Sequence, residues 1–292
     1  MRKEKNLNAI LLNNIKDVTN NVKAWKKEGF TIGLVPTMGA LHAGHASLIK
    51  KAKETCDKVI VSVFVNPIQF GPNEDLDKYP RTLEADKKLC DELGCDIVFA
   101  PSPKEMYGAE NKLSNTEFTF VCPPYNLVDC LCGKSRVGHF DGVATVVLKL
   151  FNITTPNKAF FGQKDAQQLF IITKMVKDLN LDLEIVPCPI VREDDGLALS
   201  SRNTYLNEEE RKNALSISKA LKEINSLYLN NVTDTQILFD TAISILNKNI
   251  ELEYIEFRDF ETFEKVEKAS KNTLVAIAAK SGKTRLIDNI IL

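Results

Sequence analysis

Short, almost wholly apolar runs alternate with amphipathic stretches along the first two thirds of the chain, the pattern of a parallel sheet covered on both faces. Phe30–Val35 reads as a buried strand, Ala46–Thr55 as a helix and Lys58–Val65 as the next strand, a crossover long enough for parallel pairing. Ahead of them residues 7–29 form an amphipathic lead-in, with Ile15, Val18, Val22 and Trp25 at helical spacing. The alternation continues with a helix opened by Tyr79-Pro-Arg-Thr82 and stopped at Gly94, and a strand at Asp96–Pro101. Gly138-His-Phe-Asp-Gly142 then leads into a helix with Val143, Val146, Val147 and Leu150 on one face, followed by strands at Lys158–Phe161 and Leu183–Pro189. Residues 102–136, rich in Pro, Cys and turn formers, are expected to be irregular apart from a short strand at Phe118–Cys122.

After the prolines at 187 and 189 the pattern changes. Asn207 and Glu210 have the spacing of a capping box for a helix striped by Ala214, Ile217, Leu221, Ile224 and Tyr228, and a second helix spans roughly 234–248. Alternating segments at 252–257, 274–279 and 284–291 read as a small antiparallel sheet. The fold class is therefore α/β: a Rossmann-like parallel sheet with helices on both faces over residues 1–189, and a smaller, lid-like α+β domain over 190–292, hinged near 187–191.

At 292 residues, with 38 basic and 39 acidic side chains and a net charge of −1, the chain has no basic surplus of the kind nucleic-acid binding demands. Its polar start and lack of a long apolar run predict neither signal peptide nor membrane span, and seven scattered cysteines suit a reducing compartment. The expected location is the cytoplasm. The cysteines lack zinc-site spacing, so no structural metal is expected.

Candidate chemistry concentrates in three turns. Pro36-Thr-Met-Gly-Ala-Leu-His-Ala-Gly-His45 runs from a strand into a helix and holds two of the three histidines. A helix N-terminus favours an anion, and His42 and His45 could both face one. The pattern is neither a dinucleotide fingerprint nor a P-loop, and an ordinary helix-capping turn is the alternative. Gly162-Gln-Lys-Asp-Ala-Gln-Gln168 repeats the strand-to-helix turn with a lysine. Asp165 and Gln168 fit a capping box, whereas Lys164 opposes the helix dipole unless an anion lies between. Leu199-Ser-Ser-Arg-Asn203 offers hydroxyls and a fixed planar cation, either a polyphosphate loop or plain surface. Asn66 and Gln69, at the carboxyl end of a strand, are either ligand contacts or turn-satisfying groups, and His139 is a ligand or, more simply, a cap or packed residue.

Together with Phe64-Val-Asn-Pro-Ile-Gln-Phe70, Tyr79-Pro-Arg-Thr82, Leu131-Cys-Gly133, Gly138-His-Phe140 and Thr284-Arg-Leu-Ile-Asp-Asn289, these blocks resemble the pantothenate synthetase family over residues 30–289. The His-x-Gly-His turn alone would mark only the wider HIGH-type nucleotidyltransferase superfamily. The resemblance implies ATP- and magnesium-dependent joining of pantoate to β-alanine through a pantoyl adenylate, by a homodimer. It implies that His42 and His45 contact ATP phosphates, that Lys164, Ser200, Ser201 and Arg202 hold the triphosphate, and that Gly162 and Asp165 meet the ribose. Pro36, Thr37, Met38, Gly39 and Gly44 would complete the ATP contacts on one side, and Val191 and Leu199 on the other. Gln69 and Gln168 would hold pantoate beside Met38, with Arg136 at the entrance as the candidate β-alanine contact; metal-binding side chains are not implied. Leu199 stands where the family commonly has Met, and Val137 where many members have Pro. The competing readings are a nucleotidyltransferase of another specificity and an ATP-binding module without turnover.

Overall fold

The computed structural model describes residues 8–72, 74, 76–108 and 118–292. Its first layer runs β1 (Ile10–Leu12), α1 (Ile15–Lys27), β2 (Ile32–Thr37), α2 (Ala43–Thr55), β3 (Lys58–Val63), α3 (Leu83–Glu92) and β4 (Ile97–Phe99). Three short helices follow, α4 (Pro103–Tyr107), α5 (Tyr125–Val128) and α6 (Leu131–Ser135), then α7 (His139–Thr154), β5 (Lys158–Gly162), α8 (Ala166–Asp178) and β6 (Glu184–Cys188). The strands pair in parallel in the order β1-β4-β3-β2-β5-β6.

Side-chain alternation explains why both faces are covered. Ile32, Leu34, Ile60, Ile97 and Phe99 point into a core with α1, α7 and α8. Val35, Val59, Val61 and Val98 point the other way, against Leu48, Ile49 and Ala52 of α2. The winding reverses between β2 and β5, which are sheet neighbours although 120 residues, 38–157, and several elements separate them in sequence. The crevice outside the carboxyl ends of those two strands is where an open parallel sheet accommodates ligands.

The rest of the chain is α9 (Glu208–Leu229), α10 (Thr235–Ile245), β7 (Ile250–Asp259), β8 (Thr273–Ser281) and β9 (Thr284–Ile291), with the three strands antiparallel in that order. Ala214, Ile217, Leu221 and Ile224 of α9 and Leu238 and Ala242 of α10 pack on Val275, Ile277 and Ala279 of β8. The capping box at the start of α9 forms as expected: Asn207 Oδ1 accepts the Glu210 N–H at 2.9 Å and Glu210 Oε2 accepts the Asn207 N–H at 3.0 Å. Such a box contributes about 1 kcal/mol.

Several expectations fail for identifiable reasons. The lead-in is not one amphipathic helix, because Ile10–Leu12 forms edge strand β1 on β4; three apolar residues are too few to show a strand period. Phe118–Cys122 joins no strand, and Val121 instead donates its N–H to Thr145 Oγ1 at 2.9 Å. The described residues of 102–136 carry three helices, each too short for periodicity to reveal. Asp165 occupies the N-cap of α8 but makes no capping bond, so the capping box with Gln168 does not exist. Among the described residues no helix is long and apolar enough to cross a membrane.

Candidate active site

Beyond β2 the backbone passes through two successive left-handed residues, Gly39 (φ 86°) and Ala40 (φ 51°). Glycine adopts this region freely, but alanine costs roughly 1–2 kcal/mol there, so something must hold it. The buried carboxylate of Asp86, on α3, does so: it accepts the N–H groups of Ala40 (3.0 Å) and Leu41 (2.8 Å) and the Thr82 hydroxyl (3.2 Å). A Cβ on Gly39 would stand 3.0 Å from Asp86 Oδ2 and Val63 Cγ1.

The turn delivers His42 to the N-cap of α2, three residues earlier than the apolar pattern predicts for the helix. Its Nδ1 accepts the Gly44 N–H (3.1 Å), and His45 Nδ1 accepts the His42 N–H (3.3 Å), so the two histidines form a capping box. With each Nδ1 occupied as acceptor, the proton of each neutral ring sits on Nε2. The rings lie 4.1 Å apart. Burial, then the nearby Lys164 charge, depresses the pKa of His42; burial, then His42, pushes His45 down to about 3. Both imidazoles are neutral donors near pH 7. Gly44 is required for a reason its φ does not reveal: a Cβ there would come within 2.9 Å of His42 Cε1.

From the end of β3, Asn66 and Gln69 are both buried. Gln69 Oε1 accepts from Asn66 Nδ2 (3.1 Å), and Gln69 Nε2 lies 2.9 Å from Met38 Sδ. Asn66 also donates to the Gly142 carbonyl (3.1 Å) and accepts the Tyr107 hydroxyl (2.8 Å). Of the two, only Gln69 retains a donor to spare, and Asn66 is a support for it. His139 is a packed residue, 9% exposed, bonded through Nδ1 to the Gln69 carbonyl oxygen (2.8 Å).

The third wall follows β5, where a turn of 3-10 helix (Gln163–Asp165) carries Lys164. That turn is clamped from β9: Asn289 Nδ2 donates to the carbonyls of Gln163 (3.0 Å) and Lys164 (2.9 Å). The neighbouring Asp288 grips Arg192 through two bonds (2.6 and 3.0 Å), which anchors the loop leading to Leu199. Ser200 caps the following 3-10 turn by accepting the Arg202 N–H (3.3 Å). Leu199 lies against Gly44, its Cβ 3.9 Å from where a Gly44 Cβ would be.

These walls enclose a cavity of about 230 Å³ that meets a larger cleft of about 1160 Å³ between the two sheets. Every residue to which the resemblance gives a site role lines the smaller cavity except Gly39, which shapes the turn behind it. Lys164, Asp165, Gln168, Ser200 and Arg202 line both spaces. Arg136 also borders both, but its guanidinium is engaged by Glu74 (2.6 and 2.8 Å) and His139 (2.8 Å). Burial favours the protonated form of Glu74, but the bonds and charge of Arg136 outweigh it and hold the carboxyl below its usual range. Among the described residues no group of three His, Cys, Asp or Glu side chains is placed to hold a metal ion.

The family model for pantoate-beta-alanine ligase matches residues 10–291. The chain belongs to that family. Pantothenate synthetase of Caldicellulosiruptor saccharolyticus is 53% identical over 97% of this chain and 99% of its own length. That of Clostridium novyi is 55% identical over 96% and 97%. Among solved structures, the pantothenate synthetase of Thermus thermophilus superposes with a TM-score of 0.88 at 36% identity, covering 97% of this chain and 99% of that one. The pantoate-beta-alanine ligase of Francisella tularensis, complexed with beta-gamma ATP and beta-alanine, gives a TM-score of 0.77 at 38% identity, with 97% of each chain covered.

Asp86 and Asn289 escape sequence reasoning as site-building residues of this ligase-family chain. Asp86 sits in the Tyr79–Asp86 stretch, where an acidic residue in the first turn of a helix has an adequate local explanation. Asn289 was visible only as part of a family block, and its contact spans 125 residues.

Proposed function

We propose that the chain condenses pantoate with β-alanine at the expense of ATP, through a pantoyl adenylate, in the cavity at the carboxyl ends of β2, β3 and β5. The observation that carries this reading is convergence. His42 and His45, Gln69, Lys164 and Ser200–Arg202 come from four separate segments, yet line one cavity at the winding reversal of the sheet.

In the first step a pantoate carboxylate oxygen attacks the α-phosphorus, and the bond from phosphorus to the pyrophosphate oxygen breaks. Two anions are brought together and charge flows onto phosphoryl oxygens, so positioning and neutralisation carry the catalysis and no side-chain nucleophile is needed. The two Nε2–H groups of His42 and His45 donate to the phosphates, and Lys164 and Arg202 supply fixed positive charge. The amides of Gln69 and Gln168 hold the carboxylate and hydroxyl of pantoate, since an amide both donates and accepts. In the second step the β-alanine amine attacks the acyl carbon, the C–N bond forms, the acyl C–O bond breaks, and AMP leaves. A water-poor cavity protects the adenylate between steps.

Magnesium fits this donor set as a companion of the nucleotide. The ion is commonly held by phosphate oxygens with one or two carboxylates, and Asp165 is the acidic side chain bordering both spaces. When bound it neutralises phosphate charge. The reading includes residues 190–292 as a lid over residues 1–189, a homodimer and a cytoplasmic location.

ATP–pyrophosphate exchange tests the assignment. Exchange should require pantoate, and adding β-alanine should yield pantothenate and AMP. Exchange indifferent to pantoate would overturn it.

A further inference from the structure

The wall that carries Gln69 is held from behind by groups with no part in the scheme above. Helix α7 packs on the 67–69 turn with no clearance: a Cβ at Gly142 would lie 2.4 Å from the Ile68 carbonyl oxygen and 2.7 Å from the Gln69 backbone. From the first turn of that helix, His139 places Nδ1 2.8 Å from the Gln69 carbonyl oxygen and Nε2 2.8 Å from Arg136 Nη1. A guanidinium can only donate, so His139 Nε2 accepts and the ring proton resides on Nδ1, donated to Gln69. Arg136 then forks onto Glu74 through Nε (2.6 Å) and Nη2 (2.8 Å). Burial, then the Arg136 charge, holds the imidazole pKa at about 4, which keeps it in the neutral form this bonding needs.

We propose that His139 is a positioning residue for pantoate: a neutral bridge that ties the Gln69 backbone to the Arg136–Glu74 ion pair and so fixes the amide that receives the substrate. The inference rests on the reading of Gln69 as a pantoate contact. Without the bridge the Gln69 carbonyl, buried with its residue, loses its partner, and the short turn 67–69 can rotate away from Met38. The side chains assigned to the ATP phosphates stand on other segments, at the start of α2, on the turn after β5 and on the 199–202 loop. Loss of His139 should therefore separate the two substrates.

The experiment measures KM for pantoate and for ATP, with kcat, in His139→Ala, His139→Asn, His139→Gln and Gln69→Ala, alongside thermal melting. Loss of one buried hydrogen bond should raise the pantoate KM of His139→Ala about tenfold, leaving the ATP KM within about twofold. The asparagine Nδ2 stands where the imidazole Nδ1 stood, so His139→Asn should recover most of the pantoate affinity and His139→Gln should recover less. Should His139→Ala fail to fold, the ordering of the asparagine and glutamine variants decides. An unchanged pantoate KM in His139→Ala, an equal rise for both substrates, or a glutamine variant as good as the asparagine overturns the proposal. Gln69→Ala keeps the failures apart: an unaltered pantoate KM there removes the reading of Gln69 and the bridge with it, whereas an impaired Gln69→Ala beside an unimpaired His139→Ala removes the bridge alone.

Discussion

The backbone N–H of His42 is capped by the side chain of His45 at 3.3 Å, while the His42 ring caps the N–H of Gly44 at 3.1 Å. Each histidine thus spends Nδ1 on the helix end and leaves Nε2–H for a ligand. The capping and anion-binding readings of this turn, set against each other in the sequence, use different nitrogens of the same two rings and are compatible.

Gly44→Ala should separate activity from stability. Alanine is the better helix residue by up to about 1 kcal/mol, but displacing the His42 ring removes an N-cap worth about as much, so the melting temperature should stay close to that of the wild type. The new Cβ would fall 2.9 Å from His42 Cε1 and displace the ring, with an expected loss of roughly 10-fold or more in the exchange rate. A fully active variant would show that the ring position is immaterial.

Lys164→Ala should lower turnover by roughly 10²–10³, the usual effect of removing one charge-stabilising donor. The turn that carries it is held by Asn289 through backbone carbonyls, independently of the Lys164 side chain. The melting temperature should therefore stay within about 2 °C, a surface-like effect. Marked destabilisation would point to a structural lysine.

Asp86→Asn replaces one of the oxygens receiving the Ala40 and Leu41 amides with a donor. A buried N–H would then face another N–H, at a cost of about 1–3 kcal/mol. Equilibrium denaturation should show that loss, and steady-state kinetics should show reduced kcat because the His42 turn relaxes. Wild-type stability with reduced kcat would argue instead that Asp86 meets the substrates directly.

Acid should begin to destabilise the fold at a pH above the ordinary carboxylate range. His45 and His139 have folded pKa values of about 3 and about 4, below the unfolded value near 6.5. As pH falls below 6.5 the unfolded chain takes up these protons first, so their contribution is complete above pH 6.5 and drains away toward pH 4 and 3. The slope is up to about 1.4 kcal/mol per pH unit for each histidine. Urea midpoints at pH 7, 6 and 5 should fall, and fall less in His139→Asn. Midpoints that stay level would contradict the buried, neutral state of both rings.

How much of this was legible follows from the range of each interaction. Strands β2 to β5 announce themselves because burial on both faces demands uninterrupted apolar runs, and α9 because its stripe and capping box are local. Strand β1 is invisible because its evidence is its partner β4, 87 residues away. In the site, the histidine, lysine and serine–arginine turns stand out because they are chemically odd for their local positions. Asp86 and Asn289 do not, since each looks like an ordinary helix or strand residue until the chain is folded, whereas the simpler reading of His139 as a packed residue holds. Arg136 shows the converse: the resemblance offers it as a β-alanine contact at the entrance, and folding gives its guanidinium Glu74 and His139 as partners.

The adjacent pair Asp288–Asn289 has a consequence for how the site comes into being. One residue grips Arg192 at the root of the serine–arginine loop, and the other holds the lysine turn. Both loops that carry cations thus take their final shape from a strand made after the whole parallel sheet and after α9 and α10. The crevice at the carboxyl ends of β2 and β5 is thus encoded before β9, but its two cation-bearing loops have their holding partners only once β9 has docked.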